Sequence, residues 1–508
     1  MTQGADHAPD APSRTLARTA FACAAIALAA LGIAIVWTSL NRGPWYDEFY
    51  TQLVTRPDRG IVASVRESWL YDNHPPLFYL LSWLTGWLGP VEQHRLLNLG
   101  ILLAATAAGW TIVRKVPPLQ VPAMALALLL AANMWTVQEA SELRSYFLSL
   151  CTGAMLALAL GATWLMNDEG DRGRGVATLL VALAAFNNHI VTTIVSGAVV
   201  LPFAALALLR RDRTLFVAIM RAPFFAGLVF LALTAIQFPY WMENTQSFWI
   251  APGLQSASWS IQYAIQRTLE ANPVLTLAAI AGAALMAWQS YKRRKADADL
   301  EALLLLACGC AISIAVLVGL HLVRPMIIEK YLTALVGTIA VGLSLGVART
   351  VRALPAPVGG AVFVLALAAS LYHLEGNARF SAGKNSWYGT ARLIARIKDR
   401  CPGAIVHTDP HWNARVMAMS PSDNRQVPAL GYRTAANRFG FAIEPAGSMR
   451  MATDCPTLFW AEHNQRNLFD ARSALAHIRK RGYPVERLSL YRVGDGWVAS
   501  NRPLSGLK

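Results

Sequence analysis

Two adjacent carboxylates, Asp47 and Glu48, sit inside the aromatic run Trp45-Tyr46-Asp47-Glu48-Phe49-Tyr50, just past the first long apolar stretch of this 508-residue chain. Acids at the point where an apolar helix leaves a bilayer are costly unless they work or are paired. A second polar cluster, Asp72-Asn73-His74 ahead of Pro75 and Pro76, follows closely, and Arg144, Arg324 and Lys330 recur at the ends of later apolar segments. Together these residue types can move a group carried on a phosphate. Asp47 and Glu48 would supply an acceptor for the proton of an attacking alcohol and oxygen ligands for a divalent metal ion. His74, Arg144, Arg324 and Lys330 would supply positive charge for the departing phosphate. Outside the cell a donor cannot be a water-soluble nucleotide sugar, whereas a lipid-linked sugar phosphate reaches such a site laterally through the bilayer.

The frame for such a cavity is named by composition. Hydrophobic residues make up 55% of the chain and charged ones only 15%, with the apolar residues in runs of about 18 to 22, a length set by a bilayer. The chain is therefore expected to be a polytopic α-helical membrane protein. Its net charge of +15 falls in small clusters between the apolar runs, as membrane topology requires, so nucleic acid is not an expected partner. Candidate spans lie at 19–40, 95–113, 119–137, 146–166, 176–188, 190–209, 216–238, 273–290, 302–322, 331–347 and 355–374. With about eleven transmembrane helices, Arg114-Lys115, Arg172 and Arg174, Arg210-Arg211 with Arg213, Lys292 to Lys295, and Arg349 with Arg352 all share the side of the N-terminus, which the positive-inside rule makes the cytoplasm. The first run reads as an uncleaved first helix of a bacterial inner-membrane protein. Arg42, Arg56, Arg59 and Arg66 in the first external loop break the rule and hint at the grip of an anion. The Trp-rich stretches 76–90 and 239–272 read as interfacial.

Beyond residue 375 the chain turns polar. Strand-like runs at Ala404 to His407, Thr457 to Ala461 and Leu488 to Val493 alternate with helical stretches at 388–400 and 468–481. These predict a small C-terminal extracytoplasmic (periplasmic) α/β domain at 376–508, following a transmembrane domain at 1–375. Cys23, Cys151, Cys308 and Cys310 fall in spans as small core residues. Cys401 and Cys455 are the two in the tail, and an oxidising periplasm would favour a disulfide between them.

Five motifs in order, Trp-Tyr-Asp-Glu after the first span, His74-Pro75-Pro76-Leu77-Phe78-Tyr79, Glu142-Leu143-Arg144-Ser145-Tyr146, Asn188-His189, and Arg324-Pro325 through Glu329-Lys330-Tyr331-Leu332, resemble the polyprenyl-phosphate-dependent GT-C glycosyltransferases. The similar members are bacterial relatives of protein O-mannosyltransferases and of the lipid A aminoarabinose transferase, and the match covers roughly residues 19 to 375. The resemblance implies a GT-C-like fold, a polyprenyl-phosphate sugar donor, an extracytoplasmic lipid, glycan or protein acceptor, and inversion at the anomeric carbon. It implies that Asp47 is the catalytic carboxylate activating the acceptor, and that its neighbour Glu48 partners a metal or substrate. Tyr50, Asp72, Tyr146, His189 and Tyr331, in or beside these motifs, are expected to line the same cavity. Where aminoarabinose transferases carry Glu-Lys-Pro-Pro, this chain has Asn73-His74-Pro75-Pro76, which removes the metal-binding glutamate and replaces the phosphate-binding lysine. Lys330 stands where relatives often carry arginine, keeping charge but losing bidentate geometry.

Each residue also has a plainer reading. Arg144 could snorkel or pair with Glu142, Lys330 could pair with Glu329 or Glu139, and His189 and His321 could be polar caps. His407, Asp409 and His411 could bind a metal, but read better as an exposed loop. The rival from another class is a transporter or flippase of lipid-linked glycans; transporters place polar residues near the bilayer midplane and often show paired halves. Here the polar residues gather at the external helix ends.

Overall fold

The computed structural model describes residues 14–72, 74–166, 171–243, 250–294, 297–384, 387–408, 426–462, 470–494 and 496–504. The chain is built on a bundle of apolar helices that begins with α1 (Arg14–Asn41). The first loop then folds into the short helices α2 (Tyr46–Val54), α3 (Ile61–Glu67), α4 (Leu77–Leu84) and α5 (Val91–His94). The bundle continues with α6 (Leu97–Val113), α7 (Pro117–Ala132), α8 (Met134–Ala140), α9 (Tyr146–Met166), α10 (Arg172–Asn187) and α11 (Ile190–Leu209). It closes with α12 (Arg213–Glu243), the amphipathic α13 (Leu254–Glu270), α14 (Pro273–Arg293), α15 (Ala298–Val323), α16 (Thr333–Ala353) and α17 (Ala356–Gly383).

Ten of the eleven predicted spans each coincide with one of these helices and 119–137 runs across α7 and α8, but fewer have the length to cross a membrane. Among the described residues nine helices are long and apolar enough, and ten if α7 and α8, bent by 68° at Asn133, form one broken span. The eleventh, α10, has 16 residues, about 24 Å at 1.5 Å per residue, against a hydrocarbon core of about 30 Å. Its polar flanks explain the shortfall: Asp171 caps one end and Asn187-Asn188 close the other.

Centrally placed, α9 and α16 are the most enclosed of the spans. They approach so closely that a Cβ on Gly153 would lie 2.5 Å from the Ala334 carbonyl oxygen, and one on Gly337 2.5 Å from that of Leu150. Only glycine permits this, and it sets the heads of the two helices side by side. The C-terminal ends of α1, α8, α10, α12, α15 and α17 meet the N-terminal ends of α6, α9, α11 and α16 at one end of the bundle, joined by hydrogen bonds such as Asn188 Nδ2 to the Ser145 carbonyl, Gln237 Nε2 to that of Trp69, and the Lys384–Glu142 ion pair.

The tail sits on that same end. It begins with α18 (Trp387–Arg400) and contains β1 (Ile405–Thr408), β2 (Thr457–Ala461), β3 (Ser489–Val493) and β4 (Gly496–Ser500) in the order β1-β2-β4-β3. β1 runs parallel to β2 and the other pairs are antiparallel. β4 and the helix Val427–Arg438 are additions to the sequence reading; β4 follows β3 closely, with Gly494 at φ 60°. Trp387, Trp460 and Trp497 fill the tail core. A disulfide joins Cys401 and Cys455. The tail docks through the Trp387 ring against Phe49, centroids 5.3 Å apart, and through Tyr388 OH, which donates to Glu92 Oε1 at 2.7 Å.

Candidate active site

The floor of the site is the turn from Ser141 to Ser145, whose backbone and side chains are held by side chains from four elements. Asn98 Nδ2 donates to the carbonyls of Ala140 and Glu142, Asn188 Nδ2 to that of Ser145, and the Leu143 N–H donates to Glu48 Oε1 at 2.7 Å. Arg42, at the end of α1, donates to the Gln138 carbonyl, Ser141 Oγ and Glu142 Oε1. Burial alone would raise the Glu142 pKa, but the Arg42 guanidinium holds it below the ordinary carboxylate value. A turn fixed this thoroughly fixes Arg144, which it carries.

Above the turn, Asp47 stands at the second position of α2, a quarter of its side chain exposed, with Lys330 Nζ 3.4 Å from Oδ2. Lys330 is also seated over the rings of Trp45 (4.3 Å) and Tyr146 (5.1 Å), a favourable placement for a cation. Arg144 donates to Thr51 Oγ1 at 3.2 Å and to Tyr146 OH at 3.5 Å; its Nε is buried without a partner and no carboxylate of the described residues lies within ion-pair distance of it. With His74, Pro75, Phe78, Tyr79, Ser145 and Asn188 it lines a small cavity of about 220 Å³, counting its open mouth. The imidazoles of His74 and His189 stack at 4.2 Å, and Tyr331 packs against His189 (4.7 Å) and Tyr146 (5.4 Å). Asp72 accepts from Tyr79 OH at 2.6 Å and from the His74 N–H at 3.1 Å, which shapes the loop carrying His74.

Several expectations change. Glu48 has both oxygens engaged: it is fully buried, and Arg95 binds it bidentately, Nε to Oε1 at 2.7 Å and Nη2 to Oε2 at 2.6 Å. His74 does not supply charge at neutral pH, because burial, then Arg144 and Lys330, press its pKa below the ordinary value against the pull of Asp72 and Asp47. Three of the four first-loop arginines are already paired with carboxylates, Arg42 with Glu142, Arg59 with Glu67 and Arg56 with Asp58; Arg66 is in no such pair among the described residues. Lys330 is paired with Asp47 rather than with Glu139 or Glu329. Arg324 caps the C-terminal end of α15, its N–H donating to the Leu320 carbonyl. His321 is structural, its Nδ1 accepting from the N–H groups of Met326 and Ile327. Tyr50 is buried edge-on to Tyr79 at 6.5 Å. His407 is a core residue bonded to the Arg450 carbonyl, whereas Asn73, Asp409 and His411 lie outside the described residues.

A divalent ion fits this donor set poorly. Both Glu48 oxygens are consumed by Arg95 and the Leu143 N–H, both Asp72 oxygens are hydrogen-bonded, and Asp47 is already beside an ammonium. No group of three or more His, Cys, Asp or Glu suited to a metal occurs among the described residues. Sequence reasoning missed Arg95, Asn98 and Thr51; an arginine opening a predicted span was the one available signal for Arg95.

A many-helix bundle with an acidic first loop, basic helix ends beneath it and a small domain over the same end is a fold shared with a solved membrane protein. The structure of ArnT from Cupriavidus metallidurans in the apo state is similar, with TM-score 0.51 and 13% identity over 95% of this chain and 98% of that one. ArnT from the same organism bound to undecaprenyl phosphate gives TM-score 0.48 at 13% identity, covering 94% of this chain and 98% of that one. The Archaeoglobus fulgidus oligosaccharyltransferase, in complex with Zn and sulfate, gives 0.40 at 12% identity, covering 74% of this chain and 55% of that one. No family model and no curated protein matches the chain.

Proposed function

We propose that this protein is an inner-membrane glycosyltransferase that moves a sugar from a polyprenyl-phosphate-linked donor to an extracytoplasmic lipid, glycan or protein acceptor. The observation that carries the reading is Arg144, a largely enclosed guanidinium bonded to hydroxyls, lining a cavity a few residues from the Asp47–Lys330 pair. Such a cation is best completed by an anion, and a phosphate ester matches its planar fork. Asp47 takes the acceptor hydroxyl proton while the acceptor oxygen bonds to the anomeric carbon; the bond from that carbon to the phosphate oxygen breaks, and its electron pair leaves on a phosphate held by Arg144 and Lys330. One such displacement inverts the anomeric carbon. Glu48 acts through Arg95 and the 141–145 turn as a positioning residue. The N-terminus is cytoplasmic, and residues 376–508 form a periplasmic domain roofing the site.

Single-turnover transfer by purified protein from polyprenyl phosphates bearing mannose, glucose, N-acetylglucosamine or a pentose tests the reading. Asp47→Asn should lower transfer by on the order of 100-fold or more with the fold intact. Folded Asp47→Asn protein working within a few fold of wild type would remove the assignment and favour a transporter.

A further inference from the structure

Two neighbouring residues beside the cavity carry buried polar atoms without partners. Asn188 and His189 join α10 to α11 and are 0% and 1% exposed. Asn188 Nδ2 donates to the Ser145 carbonyl at 2.9 Å and to Ser149 Oγ at 2.8 Å. Only the amide nitrogen can serve a carbonyl, so the other atom is the acceptor Oδ1, and it has no partner. His189 Nδ1 accepts from the Val191 N–H at 3.2 Å, which leaves the ring proton on Nε2. That Nε2–H is also buried and unpartnered. Burial, with His74, Arg144 and Lys330 nearby, holds the ring neutral at pH 7. One acceptor and one donor are thus left unmet on consecutive residues, each at a cost of about 1–3 kcal/mol if nothing fills the place.

The pairing discriminates between ligands. A phosphate oxygen can accept from His189 but has no hydrogen for Asn188 Oδ1. A hydroxyl serves both at once. We propose that Asn188 and His189 form a subsite reading a hydroxyl of the donor's sugar, adjacent to the phosphate held by Arg144; this rests on the preceding reading of the site. The neighbourhood is consistent, since Asn188, Ser145 and Arg144 line one cavity and His74, on its wall, is stacked on the His189 ring.

The test is equilibrium binding to the full-length protein in nanodiscs. The probes are bare polyprenyl phosphate and the same lipid carrying mannose, glucose, N-acetylglucosamine or a pentose. Wild type should bind at least one glycosylated lipid about tenfold more tightly than the bare one, the effect of one hydrogen bond to a buried group. His189→Asn keeps an N-cap acceptor for α11 but lacks the Nε2–H; it should erase that preference and leave bare-lipid affinity within about twofold, whereas Arg144→Met should weaken every probe. Independently of any variant, removing one particular hydroxyl from the preferred sugar should return wild type to bare-lipid affinity. A wild type without preference, a His189→Asn protein that keeps it or loses bare lipid equally, or indifference to every deoxy sugar would overturn the subsite. Failure of wild type to bind bare polyprenyl phosphate would instead sink the phosphate reading, and the subsite with it.

Discussion

Asp47 and Glu48 are neighbours in sequence with opposite fates, decided by which way a first-turn side chain points. Asp47 is partly exposed and faces Lys330, while Glu48 faces inward and closes a fully buried pair with Arg95. Removing one partner of such a pair leaves an uncompensated buried charge, at a cost of about 3–5 kcal/mol. Glu48→Gln should therefore lower the melting temperature and yield sharply, and adding Arg95→Met should recover part of the loss. A Glu48→Gln protein that melts like wild type would return Glu48 to the list of catalytic candidates. The pair was legible as two acids in a costly place, but their roles were not, because Arg95 reaches Glu48 only through the tertiary fold. The stacked histidines add a pH dependence. Both are held below the ordinary histidine pKa, by burial first, then for His74 by Arg144 and for His189 by His74 and Arg144. As pH falls below about 6.5 the unfolded chain takes up these protons before the folded one, so stability is full above that pH and declines beneath it. Melts between pH 7.5 and 5.5 should fall on acidification, and less steeply in His189→Asn; a variant as steep as wild type would contradict the assignment.

The helices were the most legible elements, because a bilayer demands a long apolar run whatever the tertiary contacts. The failures lie where length or polarity is intermediate. α10 is a helix at the expected place with too few residues to span, and α7 breaks at Asn133, whose side chain caps α8 by accepting from the Trp135 N–H. Sequence could not reveal that α9 and α16 touch backbone to backbone, since a lone glycine in an apolar run has no periodicity. That contact places Tyr146 against Lys330 and Tyr331 at the two helix heads. Gly337→Val should therefore force the helices apart, costing about 1–3 kcal/mol or more from overpacking and most of the transfer activity. Gly319→Val on α15, where an added Cβ meets nothing within 4 Å, is the matched control and should behave as wild type. Equal behaviour of the two variants would show that the α9–α16 contact does not position the site.

At the scale of the whole molecule, the direction of α1 links the site to a side of the membrane. α1 has 28 residues, about 42 Å of helix, and its C-terminal end meets the tail, since the Trp387 N–H donates to the Pro44 carbonyl at 3.3 Å. The head of α1 therefore lies at the far end of the bundle, and so does Arg294 between α14 and α15. The basic clusters Arg114-Lys115, Arg210-Arg211 and Lys292 to Arg294 also close helix ends remote from the site, the placement the positive-inside rule expects for the proposed orientation, with that end in the cytoplasm and the tail outside. The Cys401–Cys455 bond agrees, because disulfides persist in oxidising compartments. Alkaline phosphatase fused after Leu504 should be active and a fusion after Arg294 inactive. In intact cells the two tail cysteines should resist thiol alkylation until a reductant is added. Activity at Arg294 with none at Leu504, or free thiols in the tail before reduction, would put the site in the cytoplasm, where soluble nucleotide sugars abound and the argument for a lipid-linked donor lapses.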